Sequence, residues 1–396
     1  MLKILIYDTN FVPGISRIIP IIKIKYWQKH NCQITIFGTK EAEKFYRTQL
    51  KNIKHISLDY KYNIKGPYSL IWENIKITTL VLLNLKRLIG RFDIVYSQSS
   101  VIDFLFVPWL LKIFDKLSFS SNKKIFSSNK KIKWFVMVDN IVPPPHKRPG
   151  PFMQKLIPYL AFLLGDFFLK NADGIFVVTD SIKNHYEKLG AKKVIKTNDG
   201  YGIETEIFKG RIAQNTPKVD ALYCGRLHVA KGVMDLVEVA KLVVLKKPDF
   251  KMGILGDGDK ATKSKFLEKI GSAGLKNNFW FFGYIGDKRK GDIIRNCRLF
   301  ISLSYDEGFG HAILEALACN KLVVAYDLSV YHEVFAKYID QSQLILFKEK
   351  DFSKIANFIL KKEFNGFKFN NKLRDYTWNI ICKKELESFL ETEGVK

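Results

Sequence analysis

The chain has 396 residues, 47% of them apolar and 26% charged, a balance that excludes a disordered polymer and is more than one hydrophobic core usually serves. Its 64 Lys and Arg against 39 Asp and Glu leave a formal charge of +25. That excess predicts attraction to polyanions such as nucleic acid, an anionic membrane surface or phosphorylated substrates, and it fits a Lys-rich soluble surface equally well.

The opening run "MLKILIYDTN" lacks a charged leader, a long apolar core and a cleavage site, so it reads as a first buried strand and not a signal peptide. Further strand-like runs follow: "CQITIFG", "DIVYSQS", "KWFVMVD", "GIFVVTD" and "VIKTNDG". Helical patterns lie between several of them, at 41–50, 70–90 and 152–171. The second half repeats the alternation with "VDALYCGRL", "FKMGILGDGD", "NFWFFGYIG", "RLFISLSY", "KLVVAYD" and "LILFK". Strands alternating with helices predict an α/β chain with parallel sheets, here two doubly wound, Rossmann-like domains of residues 1–200 and 201–375 facing a cleft. Their boundary falls in the polar, turn-rich stretch 197–218.

A tandem repeat, "FSSNKKI" at 119–125 and 126–132, reads as an exposed basic loop. No stretch reaches transmembrane length; the nearest, "LIPYLAFLLGDFFL" (156–169), is interrupted by Pro158 and Asp166. Basic residues beside apolar and aromatic ones at 18–30, 114–134 and 146–170 suit an anionic membrane surface, and suit core helices under a basic surface as well. The five cysteines, Cys32, Cys224, Cys297, Cys319 and Cys382, are scattered without CxxC spacing. They predict a reducing, cytoplasmic setting and no cysteine-based metal site.

Two stretches carry chemistry. "YCGRLHVAKGV" (223–233) sets Gly225 and Arg226 after a strand and Lys231 and Gly232 at the entrance of the next helix. Two cations at a helix entrance suit a diphosphate, although both also read as surface charges on a βα loop. "DEGFGHAILEALACNKLVVAYD" (306–327) follows the strand "LFISLSY" and predicts a helix starting near Phe309 or Gly310, with open amides for an anion. Eight residues at 3.6 per turn place Glu307 and Glu315 within about 80° on one helix face. Carboxylates suit sugar and ribose diols, but Glu307 could also compensate the helix dipole and Glu315 could pair with a nearby Lys. Asp257 and Asp259 in "GDGD" invite a metal reading, yet two glycines after an apolar strand read better as a tight turn.

Glu307-x7-Glu315 resembles the E-x7-E signature of retaining GT-B glycosyltransferases of family 4, the glycosyl transferases group 1. "YGIETEIF" (201–208), "CGRLHVAKGV", "ILGDGD" (254–259), "FFGYIGD" (281–287) and "YTW" (376–378) resemble further elements of that family in its order. The resemblance covers about 170–395 and implies a GT-B fold in which residues 1–200 take the acceptor and a last helix, 376–396, packs back toward them. It implies a sugar nucleotide, UDP- or GDP-linked, as donor and a sugar, lipid-linked or other hydroxyl acceptor. Arg226 and Lys231 would neutralise the diphosphate, Glu315 would hold ribose hydroxyls, and Ile285 would lie beside the base. Glu307 would contact the transferred sugar, with the backbone of Gly308, Phe309 and Gly310 against sugar and phosphate. The departing phosphate oxygen would help deprotonate the acceptor, and no metal or other cofactor would be required. Two places depart from the pattern. "NFVPGISR" offers only Gly14 where the family carries a glycine pair, and Asp139-Asn140 stands where it often shows His-Asp. Asp139 is left with a catalytic, acceptor-facing role or that of a strand-end turn former; His146 and His311 are further imidazoles near these stretches. The charge keeps a nucleic-acid- or polyanion-binding protein as an alternative, and the architecture keeps a nucleotide-sugar epimerase. Charge spread over both halves, without RNP-like, KH or zinc-finger patterns, leaves no nucleic acid expected.

Overall fold

The structure, a computed structural model, describes residues 1–8, 18–60, 67–120, 131–148, 152–197, 202–203, 211–340, 342–361 and 376–394. It divides into two compact units, Met1–Val142 with Leu156–Gly200 and Trp378–Lys396, and Pro143–Lys155 with Tyr201–Thr377. The first unit begins β1 (Leu2–Asp8), α1 (Ile18–Lys29), β2 (Cys32–Thr39), α2 (Lys40–Gln49), β3 (Lys54–Leu58), α3 (Pro67–Leu83) and β4 (Ile94–Ser97). It continues with α4 (Ile102–Ser120), β5 (Lys133–Val138), α5 (Phe152–Leu169), β6 (Gly174–Val177), α6 (Asp180–Lys188) and β7 (Val194–Lys196). Its strands form one parallel sheet in the order β3-β2-β1-β4-β5-β6-β7. Strands sandwiched between helix layers are apolar on both faces, which is why Ile4, Leu5, Ile6 and Tyr7 run consecutively and all are buried. Helix starts are set by caps. Thr39 Oγ1 accepts from the Ala42 amide at 3.2 Å and Thr179 Oγ1 from Ile182 at 3.2 Å, with Glu41 and Asp180 in the respective first turns.

The second unit contains β8 (Ala221–Cys224), α7 (Val233–Val244), β9 (Met252–Leu255), α8 (Lys260–Ser272), β10 (Phe279–Gly283) and α9 (Asp287–Asn296). Then come β11 (Leu299–Ser302), α10 (His311–Ala318), β12 (Val323–Tyr326), α11 (Ser329–Asp340), β13 (Leu344–Phe347) and α12 (Phe352–Lys361). Its parallel sheet has the order β10-β9-β8-β11-β12-β13, wound outward in both directions from the β8–β11 pair. The last helix, α13 (Trp378–Thr392), lies against α1 in the first unit. Its Phe389 is packed edge-on among Trp27, Tyr96, Phe135 and Phe176.

The expected strands are present, and "VIKTNDG" contributes only Val194–Lys196. The helical pattern at 70–90 ends at Leu83 and gives way to a single 3-10 turn at Leu85–Arg87. Gly14, positions 121–130 of the tandem repeat and, within the 197–218 boundary, residues 198–201 and 204–210 lie outside the described residues. Among the described residues no helix is long and apolar enough to cross a membrane.

One buried ion pair ties α13 down. Lys23 Nζ reaches Glu385 Oε1 at 2.5 Å and donates to the Tyr96 hydroxyl at 2.9 Å, all three groups buried. Burial opposes both charges, and the Glu385 carboxylate with the Tyr96 oxygen keeps Lys23 protonated. Lys23→Met should therefore strand a buried carboxylate and cost about 3–5 kcal/mol, while Lys23→Met with Glu385→Leu should regain most of it. Urea denaturation checks this; equal losses in the single and double variants would show that the pair contributes nothing.

Candidate active site

In open parallel sheets the strand order reverses at one point, and the loops leaving the two strands there part to opposite sides and open a crevice. In the second unit that point lies between β8 and β11. Arg226 and Lys231 follow β8, and Glu307 follows β11, so three of the residues singled out in the sequence leave the sheet side by side.

Backbone packing brings the two exits together. Gly232 adopts φ +65°, and a Cβ there would sit 1.8 Å from the Leu303 carbonyl oxygen, so only glycine fits. The Tyr305 amide donates to the Ala230 carbonyl at 2.9 Å, bonding one loop to the other. Lys231 ends a short 3-10 turn, Val229–Lys231, ahead of α7, rather than opening that helix. The turn is capped by His228, whose Nδ1 accepts from the Ala230 amide at 3.2 Å.

From this turn Lys231 Nζ makes an ion pair with Glu307 Oε1 at 2.7 Å and approaches the Asp306 carbonyl at 3.3 Å. Ser304 Oγ donates to the same Glu307 oxygen at 2.8 Å. Arg226 is exposed, and its carbonyl accepts from the Tyr223 hydroxyl at 2.8 Å. Burial raises the Tyr223 phenol well above its ordinary range; the Glu307 carboxylate adds to this and the Arg226 cation opposes it. A further cation was invisible in the sequence. Arg148, from the proline-rich stretch after β5, sets its Nε 3.7 Å from Asp306 Oδ2, and its Nη1 is buried without a hydrogen-bond partner. Nothing in "PPPHKRPG" marks it, because its neighbours lie far along the chain.

The helix of the signature starts later than expected. Gly310 is the N-cap residue, with φ +94°, and α10 begins at His311. Glu307 thus stands in the loop and Glu315 inside the helix, and the shared-face arithmetic does not describe them. A Cβ on Gly310 would press on Tyr331 and Phe335 at 3.0 and 3.2 Å. Phe309 is buried against Phe335 and Tyr376. No side chain caps α10.

Glu315 is buried and takes Lys290 Nζ from α9 at 2.6 Å, with His311 Nδ1 at 3.6 Å. His311 Nε2 also lies 3.3 Å from the Gly202 carbonyl. Ile285, half-buried, sits in the connection between β10 and α9, the helix that carries Lys290. Asp259 caps α8, accepting from the Thr262 amide at 2.9 Å, and Asp257 pairs with Lys263 at 3.0 Å, as a turn requires. Asp139 stands half-buried just past β5 in the first unit, and His146 is exposed.

Residues 204–378 match the family model described as Glycosyl transferases group 1. The poly(ribitol-phosphate) alpha-N-acetylglucosaminyltransferase of Staphylococcus aureus is 28% identical over 232 residues, covering 58% of this chain and 40% of that protein. The chain therefore spans well under two thirds of that relative's length. Among solved structures, sucrose-phosphate synthase from Thermosynechococcus elongatus has a TM-score of 0.75 at 13% identity, with 100% of both chains covered. HepE from Anabaena, determined with UDP and glucose, has a TM-score of 0.62 at 15% identity, covering 99% of this chain and 95% of that one. At such identities the likeness concerns the fold, which is the GT-B class of two Rossmann-like units.

His228 offers a test of the site's electrostatics. Burial first, then the Arg226 cation and more weakly Arg148 and Lys231, hold its imidazole below its ordinary range, against a smaller opposing pull from Asp259. A value lowered on folding contributes stability that is full above about pH 6.5 and is lost as pH falls through the folded value. An NMR titration of His228 should give a midpoint below about 6.5; an ordinary or raised midpoint would contradict its burial beside these cations.

Proposed function

We propose that the chain is a retaining glycosyltransferase of family 4, moving a sugar from a UDP- or GDP-linked donor to a hydroxyl acceptor in the synthesis of envelope polysaccharide or glycolipid. The observation that carries this reading is the pairing of Lys231 with Glu307 at the β8–β11 switch point, one loop ahead of the N-terminus of α10. The S. aureus relative, named for transfer to a polymer of ribitol phosphate, supports the envelope reading, and the UDP bound in the Anabaena structure supports a uridine donor.

In this reading Arg226, Lys231 and the α10 amides face the diphosphate, where charge accumulates as the sugar departs. Fixed cations and dipoles there lower the barrier, so no metal ion is required. Lys231 exchanges part of its contact with Glu307 for phosphate oxygens, which leaves the carboxylate to the transferred sugar. Glu315, steadied by Lys290, takes the ribose diol, and Ile285 lies beside the base. The backbone of Gly308, Phe309 and Gly310 lines the sugar and phosphate, residues 1–200 take the acceptor, and Asp139 serves on that side.

Glu307→Ala should abolish transfer from a UDP- or GDP-sugar while thermal unfolding stays cooperative; an active variant removes the assignment. Arg226→Ala with Lys231→Ala should weaken UDP or GDP binding by about 2–4 kcal/mol in calorimetry, the scale of two charge-assisted contacts. Unchanged affinity would contradict the phosphate role. Proton NMR of the first-formed product should show the donor's anomeric configuration kept, and inversion would exclude the retaining course.

A further inference from the structure

The first unit carries an outward surface that its own core does not use. β3 to β7 succeed one another in a single direction across the sheet, and right-handed crossovers place α3, α4 and α5 in one layer on one face. α4 touches α3, and its Phe106 and Trp109 pack on Phe168 of α5 at 5.7 and 5.0 Å. The exposed sides of the outer two helices are apolar where a water-facing helix is polar. On α3, Trp72, Ile75, Leu82 and Leu83 fall within about 100° of arc, with Trp72 64% and Leu83 77% exposed. On α5, Leu160, Leu163, Leu164 and Phe167 fall within about 100°, with Phe167 58% exposed.

The charges of this layer are sorted by sign. Its described carboxylates are buried and occupied: Glu73 accepts from the Tyr60 hydroxyl, Asp115 from the Ile132 amide at 2.9 Å, and Asp166 from Tyr186 at 2.9 Å with His185 at 3.0 Å. The cations face out: Lys76 on α3, whose Nζ also lies 3.4 Å from Glu73, Arg87 just past it, Lys116 on α4 and Lys170 at the end of α5 are exposed. Water thus meets apolar stripes flanked by positive charge. α6, the next helix, mixes exposed Asp180 and Glu187 with its lysines, and so bounds the patch.

We infer that the α3–α5 layer is a docking surface for an anionic lipid bilayer. Apolar side chains enter the headgroup and acyl boundary while lysines meet lipid phosphates, a mode that needs no spanning helix. A second copy of the chain fits less well, since a symmetric contact would bring like charges together. The inference is independent of the chemistry proposed for the second unit.

Co-sedimentation of the full chain with vesicles tests it. Binding to phosphatidylcholine mixed with phosphatidylglycerol should exceed binding to phosphatidylcholine alone. Lys76→Ala and Lys170→Ala should each weaken it roughly fivefold. Leu163→Gln with Phe167→Gln should weaken it about tenfold or more, while urea denaturation of that variant stays cooperative. Equal binding to both vesicle types, undiminished binding by the variants, or a dimer in gel filtration that the Leu163/Phe167 variant dissociates would overturn the assignment.

Discussion

The approach of Gly232 to the Leu303 carbonyl is the contact on which the second unit's site depends. A side chain at that position would drive apart the loops leaving β8 and β11, and with them the bond from the Tyr305 amide to Ala230. With the loops held together, Lys231 and Glu307, 76 residues apart in sequence, come within 2.7 Å. A backbone constraint thus sets an electrostatic distance, and the electrostatics set what the crevice can accept.

Each acid of the signature has its own cation from a different element: Lys231 for Glu307, Lys290 for Glu315. Glu315 is buried, and its carboxylate without Lys290 would be costly to desolvate. The lysine therefore explains how an acid survives inside an apolar helix, and it also fixes the carboxylate's orientation. Under the proposed function a ribose diol would meet an acceptor already aimed, which would lower the ordering cost of binding. Arg148 and Arg226 add positive charge around neutral His228, so the β8 side favours an anion while the α9–α10 side stays balanced.

Local patterns in the sequence exposed most of the fold. Apolar runs bounded by Gly and Asp marked strands, whereas the Thr39 and Thr179 caps emerged only in the structure. The alternation could not give strand order, so it could not show that Arg226 and Glu307 leave the sheet on either side of a switch point. Spacing misled in one place: counting eight residues as helix put Glu307 on a helix face, whereas Gly310 in a left-handed conformation ends the loop first. Partners supplied from afar were illegible, Arg148 for Asp306 and Glu385 for Lys23, whereas a lysine partner for Glu315 was among the readings of the sequence and is Lys290. Nothing in local composition records a contact closed across hundreds of residues.

A structure of the chain with UDP, and in parallel with GDP, bears most directly on the proposed site. The expected result places the diphosphate over the β8 and β11 exits, in contact with Arg226, Lys231 and the first amides of α10, with ribose hydroxyls at Glu315. A nucleotide bound elsewhere, with the Lys231–Glu307 pair unchanged, would contradict the central claim.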